Sequence, residues 1–99
     1  MNKIYIAYFF SEDCEMISAS SVEEAKKITA KKHLLSGENY MRLRVRLLAQ
    51  GERLYCPDDY LYIDIQGKEP IEIDLPSGEL HWNETCRYIK SIHRFTWGH

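Results

Sequence analysis

The first hydrophobic block crowds residues 3–10 with isoleucine, tyrosine and phenylalanine, and that β-branched and aromatic content predicts a strand. Ser11, Glu12 and Asp13 supply turn chemistry, and residues 14–19 read as a second strand that makes a hairpin with the first. A helix follows over residues 22–35. Ser20 stands three residues before Glu23 and Ser21 three before Glu24, so either serine could form a capping box. Val22, Ala25, Ile28 or Thr29, Lys32 and Leu35 trace the 3.6-residue period, with Ala25, Ile28 and Leu35 as core contacts. Gly37 is the expected terminator, because glycine takes the left-handed conformation just past a last turn at low cost. Glutamates at the start and lysines toward the end both match the helix dipole.

From Met41 to Ala49 the pattern alternates strictly. Met41, Leu43, Val45 and Leu47 fall on one side and Arg42, Arg44 and Arg46 on the other, which predicts a strand. Gly51 marks a turn, residues 54–56 a short strand, and Pro57, Asp58 and Asp59 another turn before a strand over 60–66. There Leu61, Ile63 and Ile65 share one side, and Tyr60, Tyr62 and Asp64 the other, extending an antiparallel meander. Gly67 and Pro70 bound a further alternating run over 71–75, closed by a turn at Pro76, Ser77 and Gly78. Trp82, Cys86, Ile89 and Ile92 fall at helical spacing after a cap at Asn83, which favours a short terminal helix, with a strand over 88–95 as the alternative. The expected fold is therefore α+β: one domain spanning residues 1–99, an antiparallel sheet of four to six strands with one helix packed across it in the order β-β-α-β-β-β, and a short C-terminal helix.

Length and composition agree with one domain. The chain has 99 residues, 44% of them hydrophobic and 28% charged, close to globular averages, which excludes disordered and fibrous classes. No apolar run approaches the roughly 20 residues that cross a bilayer, and the apolar start lacks a small-residue cleavage site, so neither a membrane span nor export is expected. Three cysteines, Cys14, Cys56 and Cys86, cannot all pair, which suits reduced thiols in a cytoplasm.

The net charge of −2 conceals a segregation. Residues 1–25 carry −4, residues 26–53 carry +6, residues 54–84 carry −7 and the rest +3. The basic block holds Lys26, Lys27, Lys31 and Lys32 on the helix and Arg42, Arg44 and Arg46 on the following strand, and such a stripe can steer a nucleic acid or an acidic protein surface. Three guanidinium groups two residues apart on one strand face repel one another and call for acids across the sheet, with Asp64, Glu72 and Asp74 as the internal candidates, or for an external anion.

Catalytic signatures are missing from the sequence: there is no nucleophile elbow, phosphate loop or dinucleotide fingerprint. The expectation is a protein that is not an enzyme and takes no cofactor. His81, Cys86, His93 and His99 are the one cluster of ligand-type side chains, but without a CxxC pair to anchor zinc they are read as packing and surface residues, so no metal is expected. Cys14 and Cys56 are read as small buried apolar residues. Of the seven tyrosines, Tyr60 and Tyr62 could stack on bases or fill an interface, although sheet packing is the commoner role.

The segment from Glu15 to Gln66 resembles the small phage-encoded anti-CRISPR proteins, most of all the short inhibitors of the type I-F Cascade (Csy) surveillance complex. The matching words are ISASS from Ile17 to Ser21, EAKKITAK from Glu24 to Lys31 and YMR from Tyr40 to Arg42, followed by the glycine turn at Gly51. The resemblance implies a non-enzymatic inhibitor that binds the bacterial CRISPR-Cas surveillance complex and blocks target DNA recognition. Family members use basic residues on and after the helix, which map onto Lys26, Lys27 and Lys31, and some bring the inhibited complex to double-stranded DNA non-specifically. A monomer or weak dimer is expected. The alternative is a small regulatory module that binds nucleic acid directly through its basic strand and helix face.

Overall fold

The computed structural model describes residues 1–9, 13–48, 53–56, 59–63, 70–92 and 95–98, with backbone alone for 13, 53–56, 59–63, 90, 92 and 95–98. The chain is an α+β fold whose principal sheet is antiparallel and five-stranded. Strands β1 (Asn2–Phe9) and β2 (Asp13–Ala19) form the expected hairpin, with Tyr5 opposite Ile17 and Ile6 opposite Met16. The sheet runs β3-β1-β2-β7, where β3 is Arg44–Leu47 and β7 is Gly78–Leu80, and the two-residue β6 (Glu72–Ile73) also pairs with β1. Ile4 is where β1 changes neighbour. Its carbonyl accepts from the Leu48 amide at 3.0 Å and its own amide donates to the Ile71 carbonyl at 3.3 Å, so β3 and β6 lie end to end along one edge.

Both faces of this sheet are buried, and the alternation along β1 sorts the side chains. Tyr5, Ala7 and Phe9 join Ile17, Ala19, Leu35 and Leu43 under helix α1 (Val22–His33), which contributes Ala25 and, at the margin, Val22 and Ile28. Ile4 and Ile6 face the other way with Met16, Leu48, Ile71, Ile73 and Leu80, covered by Cys86 and Ile89 of helix α3 (Trp82–Ile92). The expected short C-terminal helix is α3, and it packs across the second face of the sheet because the period of Trp82, Cys86 and Ile89 gives it an apolar stripe that requires a face to cover. Strands β4 (Arg53–Cys56), β5 (Asp59–Ile63) and β8 (Phe95–Gly98) form a separate three-stranded antiparallel sheet, so the expected meander does not simply extend the first sheet.

The start of α1 follows its sequence closely. Ser21 is the cap, and its hydroxyl accepts from the Glu24 amide at 3.1 Å. The Glu24 carboxylate reaches back to Ser20, accepting from its amide at 3.3 Å and its hydroxyl at 3.0 Å, which divides the capping box between two serines. Glu24 also accepts from Ser77 in the β6–β7 turn, and the Asn2 side chain donates to the Leu75 carbonyl at 2.9 Å, tying that turn to α1 and β1. Buried Thr29 and Thr85 satisfy their hydroxyls on the carbonyls four residues back, Ala25 and His81.

Several expectations are corrected. The helix ends at His33, and the left-handed position is held by Leu34 (φ 54, ψ 42) rather than Gly37. The Leu34 and Leu35 amides both donate to the Ala30 carbonyl, and the reversal drops Leu35 into the core. Gly37, at φ 56, instead begins the short helix α2 (Glu38–Arg42), so Met41 and Arg42 are helical and the strand starts only at Arg44. The Met41 amide donates to Gly37 at 3.1 Å and Arg42 pairs with Glu38 one turn back, local interactions that outweigh the alternating pattern. Of the leucines between 43 and 48, Leu43 and Leu48 are buried and Leu47 is exposed. Asn83 lies inside α3 and does not precede it, and the chain over 88–92 is helix. Cys14 is exposed, opposite the exposed Tyr8 and one pair from the end of the hairpin where Phe9 faces Asp13, whereas Cys86 is buried. The expectations at Ser11, Glu12, Gly51, Pro57, Asp58, Gly67, Ile65 and Asp64, and those on the side chains of Cys56, Tyr60, Leu61, Tyr62, Ile63, His93 and His99, lie outside the described residues.

Candidate interaction surface

The basic block of the sequence is divided by the fold. Arg44 is opposite Tyr8 and Arg46 opposite Ile6, so both arginine side chains share the α3 side of the sheet. Val45, between them, packs toward α1. The helix lysines and the strand arginines therefore occupy opposite faces and do not make one patch.

The strand arginines act locally. The Leu48 to Ile4 bond fixes the phase of the ladder, so the carbonyls of Leu43 and Leu47 point outward from the free edge of β3. Arg44 Nη1 donates to the Met41 carbonyl at 2.7 Å and the Leu43 carbonyl at 3.2 Å, and Arg46 Nη1 donates to the Leu47 carbonyl at 3.3 Å. Arg46 Nη2 also donates to the Tyr8 hydroxyl at 2.6 Å, with the guanidinium 5.4 Å from the ring centroid. Charged side chains that occupy outward carbonyls blunt a sheet edge against unwanted pairing. Glu72 is opposite Lys3, at the far end of β1 from Arg44. Arg42 pairs with Glu38 at 2.7 Å on an exposed helix face.

The four helix lysines fall into two groups. Lys32 is engaged by Glu15 at 3.2 Å and by Glu79, and the Glu79 carboxylate foremost, with Glu15 behind it, holds its ammonium above the ordinary lysine range. His33 Nε2 meets the same Glu15 oxygen at 2.8 Å while its ring stacks against Phe9, with centroids 4.3 Å apart. These contacts clamp the end of α1 onto β2 and β7. Lys26, Lys27 and Lys31 have no ion-pair or hydrogen-bond partner among the described residues. Residues 27, 31 and 34 lie on one outward row, opposite Ala25 and Thr29, and Lys26 lies on its flank.

Leu34 ends this row and is 87% exposed. Tyr40 and Met41 on α2 are 41% and 76% exposed. Sequence reasoning passed over Leu34, although it steps off the 3.6 period that Leu35 keeps. A groove of about 520 Å³ lies elsewhere, between the β6–β7 turn and α3, lined by Leu75, Pro76, Leu80 and Tyr88 with Glu79, His81 and Glu84. Among the described residues no three His, Cys, Asp or Glu side chains come together as metal ligands, and no helix is long and apolar enough to cross a membrane. No known family model matches the chain, and neither does any curated protein or solved structure.

Proposed function

We propose that this chain works by binding and not by catalysis, as a phage anti-CRISPR protein that docks on a bacterial CRISPR-Cas surveillance complex and blocks recognition of target DNA. The observation that carries this reading is the contrast along α1: Lys32 is paired with two carboxylates, whereas Lys27 and Lys31 on the outward row and Lys26 on its flank have no ion-pair partner among the described residues. Three neighbouring ammonium groups with no ion-pair partner among the described residues are suited to an anionic partner, and they lie in the helix words on which the chain resembles the short type I-F inhibitors. A domain of this size can present the ~800 Å² that a standard interface buries on each side. The alternative, a nucleic-acid module acting through Arg42, Arg44 and Arg46, ranks lower because donors of those three groups are already spent on Glu38, on the carbonyls of Met41, Leu43 and Leu47, and on Tyr8.

Tagged protein passed through lysates of bacteria expressing surveillance complexes tests the reading. Nuclease-resistant capture of one complex, lost when Lys26, Lys27 and Lys31 are changed to glutamate, is the expected result. Capture of nucleic acid alone, abolished by nuclease, would transfer the function to the alternative.

A further inference from the structure

We infer that Leu34 is the apolar anchor of a protein-docking surface that Tyr40 and Met41 complete, and that its occupant is a protein surface with an apolar cleft edged by carboxylates. The inference rests on α1 being the contact face and names what that face fits.

Leu34 is the only non-glycine residue with positive φ among the described residues. The left-handed turn itself has a structural use, since it sends Leu35 into the core, but that turn is best served by glycine or asparagine. A leucine there carries the steric cost of its Cβ and, at 87% exposed, recovers nothing through burial. An apolar residue kept in a strained, solvated position points to an external contact.

The position is also held firmly. Leu35 is buried at the base of the corner, the Met41 amide bonds to Gly37, and Arg44 on β3 bonds to the Met41 carbonyl. Leu34, Tyr40 and Met41 are thus presented on an ordered corner, which lowers the ordering cost of association. Lys27 and Lys31 continue the Leu34 row, so the apolar side chains have a cationic flank along α1. An apolar centre within a charged rim is the anatomy of a protein interface, and the sign of the rim selects carboxylates opposite it. Nucleic acid could stack on Tyr40, but Leu34 and Met41 offer it neither a planar face nor a donor.

The test uses purified type I-F surveillance complex, treated with nuclease, and measures its affinity for the full chain, for Leu34→Asn, for the double variant L34N/M41S and for K27E/K31E. Leu34→Asn is expected to weaken binding at least tenfold with its salt dependence retained, and K27E/K31E to weaken it with a shallower salt dependence. Thermal melting of each variant confirms the fold, and asparagine suits the left-handed backbone. Affinity of L34N/M41S within twofold of the parent would overturn the anchor while leaving the functional reading intact. Loss of all binding on nuclease treatment would make the surface a nucleic-acid face and overturn it as well. A parent chain that does not bind the complex would overturn both readings together.

Discussion

Leu34 and Leu35 are consecutive residues in opposite environments, one 87% exposed and the other 7%, because the left-handed backbone at Leu34 turns the chain back onto the sheet. The exposed leucine is a local cost to folding. Leu34→Asn is therefore expected to raise stability by about 1 kcal/mol, the lower end of the left-handed penalty for an ordinary side chain. For a domain of this size that is a rise of roughly 4–8 °C in Tm. A drop in Tm would mean that Leu34 makes a stabilising contact in the folded chain.

The two serines and Glu24 at the start of α1 contribute in ways that pH separates. Ser21→Ala removes the hydroxyl acceptor for the Glu24 amide and should cost about 1 kcal/mol. Hydrogen bonds from Ser77 first, then Ser20, lower the Glu24 pKa below its ordinary 4.5. A carboxylate with a depressed folded-state pKa stabilises fully above its unfolded value, and that contribution fades as pH falls through the lowered value. The Tm advantage of the parent over Glu24→Gln should thus be present at neutral pH and shrink as the solution is acidified below about 4.5. An advantage constant from neutrality to pH 3 would show that the bonds to Ser20 and Ser77 do not depend on the carboxylate charge.

Cys14 and Cys86 should differ sharply toward a thiol reagent. Cys14 is exposed near the turn end of the β1–β2 hairpin, while Cys86 is packed with Ile4, Met16 and Ile89. Alkylation of the native protein, followed by peptide mapping, is expected to label Cys14 within minutes and Cys86 only after unfolding. Equal labelling of the two in native buffer would contradict the placement of α3 on the sheet.

The hairpin, α1 and the burial of Ala25 and Leu35 were legible in the sequence because each is written in short-range signals: a β-branched run, a serine with glutamate three residues on, and a 3.6 period. The strand expected from Met41 was not, because alternation over 41–47 is also satisfied by a turn of helix followed by a shorter strand. Gly37 offers positive φ, but which residue uses the left-handed position depends on where the helix docks, and packing of Leu35 placed it at Leu34. The basic block was legible as charge but not as geometry. Whether an arginine faces solvent, a phosphate or its own strand's carbonyl depends on the phase of the β1–β3 ladder, and that phase is set by the Leu48 to Ile4 bond between distant residues. Likewise, the partition of the four helix lysines into one clamped and three without an ion-pair partner among the described residues follows from Glu15 and Glu79, which approach only in the folded sheet.

The most direct test of the central claim is an interference assay in bacteria with an active type I-F CRISPR system challenged by a targeted phage. Expression of the chain is expected to restore plaque formation by orders of magnitude, and the Lys26→Glu, Lys27→Glu, Lys31→Glu triple variant, expressed and folded to the same level, is expected to restore none. Full inhibition by the triple variant would remove the α1 row from the account, and protection unchanged by the parent chain would contradict the account itself.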